Sequence, residues 1–282
     1  MTLRSIVAAA LAEDLGRGDV TSEAIVPANT RALGRLVARQ NAVVAGLDSA
    51  REVFRQVGGI AWRPRAKEGD AVRPGRVVAE VRGKARSILA GERVALNFLQ
   101  RLSGVATLTR AFVEAVEGTG ARILDTRKTT PGLRHLEKAA VRAGGAMNHR
   151  LGLDDAALIK DNHVAAAGSI GDVRAAVTEL RRRRGPRFRI EIEAQSRAQA
   201  LAFAELDIDV LMLDNISAPA MRRLVREVRR RRPRLILEAS GGVTLKTVRA
   251  VAKTGVDWIS VGALTHSAPA ADFSLDLALL RR

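Results

Sequence analysis

The chain has 282 residues, of which 47% are hydrophobic, enough for one barrel-sized domain or for a medium domain and a small one. It has no cysteine, which excludes a disulfide framework, a thiol nucleophile and a thiolate metal site, and no run approaches the roughly 18 apolar residues that span a bilayer. Its formal net charge of +17 favours anionic partners, either nucleic acid or small polyanionic substrates.

The first hundred residues have the pattern of a small α+β domain. Helices are predicted near 6–12, 47–57 and 87–117, and strands at 33–38, 42–45 and 76–82. Glu13 and Asp14 follow the first apolar run at once, which favours an N-terminal amphipathic helix over a secretory signal and makes the cytosol the expected location. The third helix joins this domain to the next, and Gly104 within it costs roughly 1 kcal/mol.

From about residue 122 onward, short apolar strands alternate with helices. Strands are predicted at 122–125, 156–160, 188–193, 209–214, 234–238 and 257–262, and helices near 133–146, 169–184, 196–205, 217–232 and 244–254. This alternation is typical of βαβ units and a parallel sheet, and polar strand ends are typical of the face on which a β/α barrel carries its site. Because a full barrel has eight strands, either some strands are missed or the barrel is incomplete. An open doubly wound sheet remains an alternative, although no Gly-x-Gly-x-x-Gly turn follows the first strand.

Two arginine runs hold much of the excess charge. Arg181 to Arg184 precede Gly185-Pro186, and Arg229 to Arg232 precede Pro233. Cations in a last helical turn complement the helix dipole, and Gly or Pro just beyond it is a stop signal. Neither run has interleaved aromatic residues for base stacking, so solvated helix ends are favoured over a nucleic-acid surface.

Three cations follow predicted strands directly. Arg127 and Lys128 come just after the apolar residues Ile123-Leu124, and Lys160 comes after the apolar run 156–159. Side chains at such strand tips are rigidly held, so these cations are well placed to bind a substrate with several negative charges.

His149 and Arg150 lie in the segment Asn148-His149-Arg150, before the strand that ends in Lys160. The planar fork of Arg150, like that of Arg127, can bind a carboxylate at two points. Zinc is disfavoured at His149, because no two histidines have ligand spacing. The remaining histidines are assigned to structure or solvent: His135, His163 and His266.

Glu193 and Asp214 end successive strands and are predicted to face each other across the barrel mouth. Two interpretations stand: salt bridges to Lys128 or Lys160, or binding of ribose hydroxyls with help in holding Mg²⁺, which usually takes one or two carboxylates plus substrate phosphates. Glu191 lies deeper on the same strand face and is compatible with a structural role.

Two glycine-containing turns follow the last predicted strands, at 239–242 and 260–263. In β/α barrels the loops after the final strands often bind phosphate through backbone N–H groups. Each turn alone is a weak signal, but the pair predicts a phosphate site.

Together these motifs resemble quinolinate phosphoribosyltransferase, also called nicotinate-nucleotide pyrophosphorylase (carboxylating). The resemblance spans nearly the whole chain and depends on the segments 13–16, 18–21, 92–93, 96–98, 102–104, 125–132, 148–153, 158–163, 191–193, 213–215, 238–242 and 261–262. No single segment is specific, but the set is.

The resemblance implies an α/β fold with two domains. These are a small N-terminal α/β sandwich at 1–110 and a C-terminal incomplete, open α/β barrel at 111–266 that carries the active site. It implies that the tail 267–282 packs with the N-terminal domain. It also implies a homodimer, sometimes assembled further, with shared sites in which Arg93 serves the neighbouring subunit.

The activity implied is transfer of a phosphoribosyl group from phosphoribosyl pyrophosphate to quinolinate with decarboxylation. The products would be nicotinate mononucleotide, CO2 and pyrophosphate, in the de novo synthesis of NAD, with Mg²⁺ bound mainly through the substrate phosphates. Catalytic roles fall to Lys128, Lys160, Glu193 and Asp214. Further substrate-binding residues are Arg93, Arg127, Thr129, His149, Arg150, Ser240, Gly241, Gly242, Val261, Gly262 and Ala263.

Two other hypotheses remain. One is a related phosphoribosyltransferase that acts on a different pyridine carboxylate. The other, from a different class, is an arginine-rich nucleic-acid-binding protein on a barrel scaffold, which would bind DNA or RNA with a steep salt dependence. The favoured interpretation expects neither nucleic acid nor a membrane as a partner.

Overall fold

A computed structural model describes residues 2–280 of the chain. The helices are α1 (Leu3–Leu15), α2 (Val20–Ile25), α3 (Leu47–Val57), α4 (Ala85–Ala115), α5 (Arg134–Ala143), α6 (Asp161–Ala167), α7 (Ile170–Arg184), α8 (Arg197–Ala204), α9 (Ala218–Arg231), α10 (Val248–Ala252) and α11 (Ala263–His266). The strands are β1 (Arg31–Ala38), β2 (Ala42–Val43), β3 (Ala61–Pro64), β4 (Ala71–Val72), β5 (Val77–Lys84), β6 (Arg122–Leu124), β7 (Ala157–Ile159), β8 (Ile190–Ala194), β9 (Val210–Asp214), β10 (Ile236–Ser240), β11 (Trp258–Ser260) and β12 (Phe273–Leu279). No helix within 2–280 is long and apolar enough to cross a membrane.

These elements form two compact units. The first runs to Arg110 and also includes Thr129–Gly145 and the chain from Leu264 onward, and the second comprises Ala111–Lys128 and Ala146–Ala263. The sequence predicts a single domain at 111–266. The segment Thr129–Gly145 belongs instead to the first unit, where the fully buried Glu137 binds the guanidinium of Arg101 at 2.7 Å.

The first unit is built on an antiparallel sheet with the strand order β12-β1-β5-β3. The tail strand β12 pairs along the length of β1, from Ala32 opposite Leu279 to Ala38 opposite Phe273. The glycine inside the long helix α4 has a packing reason, because a Cβ at Gly104 would lie 2.0 Å from the carbonyl oxygen of Pro269. The tail thus passes too close to α4 for any side chain at that position.

The second unit is a six-stranded parallel sheet with the order β6-β11-β10-β9-β8-β7. This is the open, incomplete α/β barrel that the resemblance implied, and each of its strands lies within about two residues of its predicted position. All five residues of β8 are buried, as are the first four of β9. Strands buried on both faces are typical of a parallel sheet covered by helices.

The two arginine runs close α7 and α9, as predicted. The first arginine of the earlier run has a structural task, since Arg181 donates from Nη1 to the carbonyl of Phe188 at 2.8 Å. Its Nη2 donates to Asp209 Oδ2 at 2.8 Å, and that same oxygen accepts the backbone N–H of Ile190 at 2.8 Å.

The later run repeats this arrangement at the end of α9. Arg229 donates from Nη1 to the carbonyl of Leu235 and from Nη2 to Asp257, and Asp257 Oδ2 accepts the N–H of Leu237 at 2.7 Å. Each first arginine therefore ties the end of its helix to the start of the next strand and to an aspartate.

Candidate active site

Charged and polar residues meet at one edge of the barrel because its strands are parallel. The carboxyl ends of parallel strands lie on the same edge of a sheet, which is where β/α barrels carry their sites. The residues at or just after these strand ends are Asp125, Lys160, Glu193, Asp214, Ser240 and Val261.

Asp125 fixes the backbone of the segment that carries His149. Its carboxylate is fully buried, and Oδ2 accepts the side-chain N–H of Asn148 at 2.6 Å. Oδ1 accepts the backbone N–H of His149 at 2.8 Å. The end of β6 and the segment Asn148-His149-Arg150 are thereby held together.

His149 is itself buried, with 7% of its surface exposed. Its Nδ1 accepts the backbone N–H of Arg150 at 2.8 Å. Its Nε2 lies 3.0 Å from Glu191 Oε2 and 3.6 Å from Glu238 Oε2. The imidazole ring is therefore positioned by its own chain on one side and by two buried carboxylates on the other.

Arg150 and Arg127 place two guanidinium charges near each other. Arg150 is 5% exposed and donates from Nη1 to the carbonyl of Ala156 at 3.0 Å. Burial, followed by the positive charge of Arg127, lowers the pKa of Arg150, while the carboxylate of Glu191 opposes the shift. Two cations held this close and partly buried favour the binding of an anion.

Lys160 and Glu193 form one of the salt bridges that the sequence left open, with 3.6 Å between Nζ and Oε2. The lysine side chain remains about half exposed, whereas the glutamate side chain is buried. Burial, followed by the charge of Asp214, raises the pKa of Glu193, and Lys160 lowers it. Glu193 and Asp214 are thus close enough for their carboxylates to repel each other.

The turn after β10 fits closely against the end of β9. Asp214 Oδ2 accepts the side-chain N–H of Asn215 at 2.7 Å, and the Asn215 N–H donates to the carbonyl of Ser240 at 2.9 Å. Gly241 has a φ of +96°, and a Cβ there would lie 2.2 Å from Asn215 Oδ1. Only glycine adopts this positive φ readily and has no Cβ that would clash with Asn215. The backbone of the turn is therefore exposed at the ends of the strands.

The other predicted site residues fall into the two units. Lys128 is exposed, with its backbone N–H donating to Thr126 Oγ1 at 3.1 Å, and Val261 donates its N–H to the carbonyl of Leu124 at 2.9 Å. Ala263 is the first residue of α11 and directly follows Gly262. Two further residues belong to the first unit: Arg93, exposed on α4, and Thr129, which accepts the Nε–H of Arg134 at 3.0 Å.

Sequence reasoning missed the role of Glu238 and understated that of Glu191. Both are almost completely buried, at 0% and 1% exposure, and both face His149. The available signal was a charged residue inside an apolar strand, two residues before a predicted site residue in each case. That spacing puts Glu191 on the strand face of Glu193, and Glu238 on the face of Ser240.

The open parallel barrel, with charged residues gathered at the carboxyl ends of its strands, is the arrangement of an α/β-barrel enzyme. Two family profiles match the sequence: quinolinate phosphoribosyl transferase, N-terminal domain, over residues 19–103, and quinolinate phosphoribosyl transferase, C-terminal domain, over residues 105–276. The chain belongs to the quinolinate phosphoribosyl transferase family.

Individual relatives agree with this assignment. The chain is 45% identical over 278 residues to the nicotinate-nucleotide pyrophosphorylase [carboxylating] of Mycobacterium leprae, covering 97% of this chain and 96% of the relative. It is 39% identical over 289 residues to quinolinate phosphoribosyltransferase [decarboxylating] 1b of Nicotiana tabacum, covering 98% and 82%. Among solved structures it is similar to NadC from Streptococcus pyogenes, with a TM-score of 0.92, 38% identity and coverage of 99% and 97%.

Proposed function

We propose that this chain transfers the phosphoribosyl group of phosphoribosyl pyrophosphate to quinolinate and releases CO2, giving nicotinate mononucleotide and pyrophosphate. The relatives bear the names of this activity, and nearly the full length of the chain aligns with them. The activity is a step in the de novo synthesis of NAD.

The observation that carries the proposal is the pair of guanidinium groups of Arg127 and Arg150. Quinolinate has two adjacent carboxylates, and a guanidinium can bind a carboxylate at two points. The positive charge of Arg127 lowers the pKa of Arg150, which shows that the two guanidinium groups repel each other. A bound dianion would offset this repulsion. A monocarboxylate would relieve less of it.

Lys128, Lys160 and the two glycine turns suit the phosphoribosyl donor, which carries a phosphate and a pyrophosphate. In this proposal the turns at Ser240–Gly242 and Val261–Ala263 bind the 5-phosphate through backbone N–H groups. Glu193 and Asp214 bind the ribose hydroxyls. The mutual repulsion of their carboxylates also fits them to help hold Mg²⁺, which would neutralise charge on the pyrophosphate.

The reaction needs positioning and electrostatic stabilisation more than covalent catalysis. The ring nitrogen of quinolinate forms a bond to C1 of the ribose as the bond from C1 to pyrophosphate breaks, with its electron pair leaving on the pyrophosphate. The bond from C2 of the ring to its carboxylate then breaks. CO2 leaves, and the electron pair on C2, stabilised by the neighbouring ring cation, takes up a proton.

The proposal includes a homodimer with shared sites. Arg93 is exposed on α4, and the first unit also exposes Val20 and Ile25, at 76% and 75%. Exposed apolar side chains and an exposed cation on the same unit suit a subunit interface at which Arg93 serves the neighbouring subunit. The cytosol remains the proposed location.

The alternative, a transferase for another pyridine carboxylate, is separated by one assay. Purified protein with phosphoribosyl pyrophosphate and Mg²⁺ is given quinolinate or nicotinate, and pyrophosphate release is measured. We expect turnover with quinolinate and at least about a hundredfold lower kcat/KM with nicotinate, the usual scale for one lost electrostatic contact. Preference for nicotinate would reject quinolinate as the substrate.

A further inference from the structure

Glu191 on β8 and Glu238 on β10 present an unusual buried pair. In the described part of the chain, none of the four carboxylate oxygens accepts a hydrogen bond from an N–H or O–H group. Both side chains are almost fully buried. Since buried polar groups in folded proteins are nearly always hydrogen-bonded, this pair calls for a physical explanation.

The ring of His149 completes the cluster. One ligand atom from each of His149, Glu191 and Glu238 lies within 4.8 Å of the other two. At 3.0 Å the His149 Nε2 is in ion-pair range of Glu191, but the N–H is not aligned for a hydrogen bond. Because Nδ1 accepts the Arg150 N–H, the proton of the neutral ring is on Nε2, on the side of the two carboxylates.

Charge and burial decide how two carboxylates can share this space. Burial, followed by the charge of Glu191, raises the pKa of Glu238. The guanidinium charge of Arg189 opposes the shift. Protonation of one carboxyl removes the repulsion between the two carboxylates, and it also supplies the hydrogen-bond donor that the pair lacks.

We propose that Glu238 is a protonated carboxylic acid that donates a hydrogen bond to Glu191, and that this pair positions His149 and, through its Nδ1, the backbone of Arg150. The effect that we expect on catalysis rests on the proposed function, in which Arg150 binds quinolinate. Glu238, Glu191 and His149 are positioning residues. His149 acts by holding Arg150 in place, without carrying a positive charge itself.

Arg189 and Arg150 argue for this arrangement over a metal ion in the same cluster. Burial raises the pKa of Glu191 to about 7, and the guanidinium charges of Arg189 and Arg150 oppose that shift. A single ionised carboxylate beside two arginines and a neutral histidine is already compensated. A divalent cation would add positive charge to a cluster in which the arginines already supply it.

Two variants of one residue test the proposal. Glu238→Gln keeps a neutral donor of the same shape, whereas Glu238→Ala removes it, and Glu114→Gln changes an exposed glutamate as the control. We expect kcat/KM for quinolinate within about threefold of the parent in Glu238→Gln, but lower by about tenfold or more in Glu238→Ala, mainly through KM, as when a supporting partner of a binding group is lost. Equal losses in the Gln and Ala variants would overturn the proposal.

The melting temperature tests the proton itself without any substrate. The folded-state pKa of Glu238 is raised from 4.5 to about 8, so the stability that the proton contributes is complete below 4.5 and is lost as the pH rises through about 8. The parent and Glu114→Gln should therefore lose melting temperature relative to Glu238→Gln over this range.

The same pH dependence in all three proteins, or a stoichiometric metal ion bound to the parent and absent from Glu238→Gln, would refute the protonated carboxyl. An inactive parent that still shows the pH difference would refute the proposed function alone.

Discussion

Arg127 and Arg150 show how single residues define the candidate site. The fold places Arg150 almost completely out of water, and its guanidinium is positioned by the carbonyl of Ala156. A group held in this way is preorganised, so it can stabilise an anion without rearranging. Its loss should affect binding and turnover far more than folding.

Truncation of either arginine tests this directly. We expect Arg127→Ala or Arg150→Ala to lower kcat/KM for quinolinate by roughly a hundredfold or more, the scale for one lost electrostatic donor. Arg182→Ala, at an exposed arginine in the last turn of α7, is the control and should leave the kinetics unchanged. Near-normal steady-state kinetics in both site variants would contradict the assignment of these arginines to the substrate.

Gly241 gives a second prediction at the same scale. Gly241→Ala combines a positive φ with a clash against Asn215, so it should destabilise the protein by about 1–3 kcal/mol and raise KM for phosphoribosyl pyrophosphate. Gly185→Ala is a matched control, because Gly185 has a φ of +83° but nothing lies within 4 Å of its Cβ position. Denaturant titration and donor kinetics that did not distinguish the two variants would reject the close fit of this turn.

At the scale of elements, the barrel depends on links between helix ends and strand starts. Arg181 with Asp209, and Arg229 with Asp257, form the same arrangement two βα units apart. In each case one aspartate oxygen receives a guanidinium N–H and a backbone N–H of a neighbouring strand. The first arginine of each run is therefore structural, and most later ones are solvated.

This difference within a run is measurable. Arg229→Ala should lower the free energy of unfolding by about 1.5–3 kcal/mol, the range for hydrogen bonds to a charged group, whereas the exposed neighbour Arg230→Ala should change it by under about 0.5 kcal/mol. Urea unfolding of both variants provides the values. Equal effects would mean that the run acts only through its total charge.

The sequence predicted the barrel strands well because each combines a short apolar run with a polar end, as in Ile190–Ala194 around Glu193. It missed β12, although Phe273–Leu279 alternates in character, because the partner β1 lies more than two hundred residues away in the chain. It missed α6, whose short polar start shows no apolar period. The cluster of His149, Glu191 and Glu238 was out of reach for a similar reason, since three distant segments bring it together.

At the scale of the whole molecule, a net charge of +17 is distributed between structural links, solvated helix ends and the candidate site. The proposed dimer adds one more cation to that site. Arg93 lies in the first unit, and Lys160 lies in the second. If the sites are shared, a subunit that lacks one of these residues can be complemented by a subunit that lacks the other.

Mixing inactive Arg93→Ala and Lys160→Ala chains tests this arrangement. In a mixed dimer one site has both residues intact and the other has neither, so random exchange should restore about a quarter of the parent activity, with half of the dimers mixed. Native mass spectrometry verifies the exchange. No recovery in verified mixed dimers would exclude a site completed by Arg93 of the neighbouring subunit.

The most direct test of the whole account follows the carboxylates of quinolinate. Quinolinate labelled at the 2-carboxylate is incubated with the protein, phosphoribosyl pyrophosphate and Mg²⁺, and labelled CO2 and pyrophosphate are counted together. We expect one labelled CO2 for each pyrophosphate, with the 3-carboxylate retained in the nucleotide. Pyrophosphate release without labelled CO2, or no release at all with quinolinate, would contradict it.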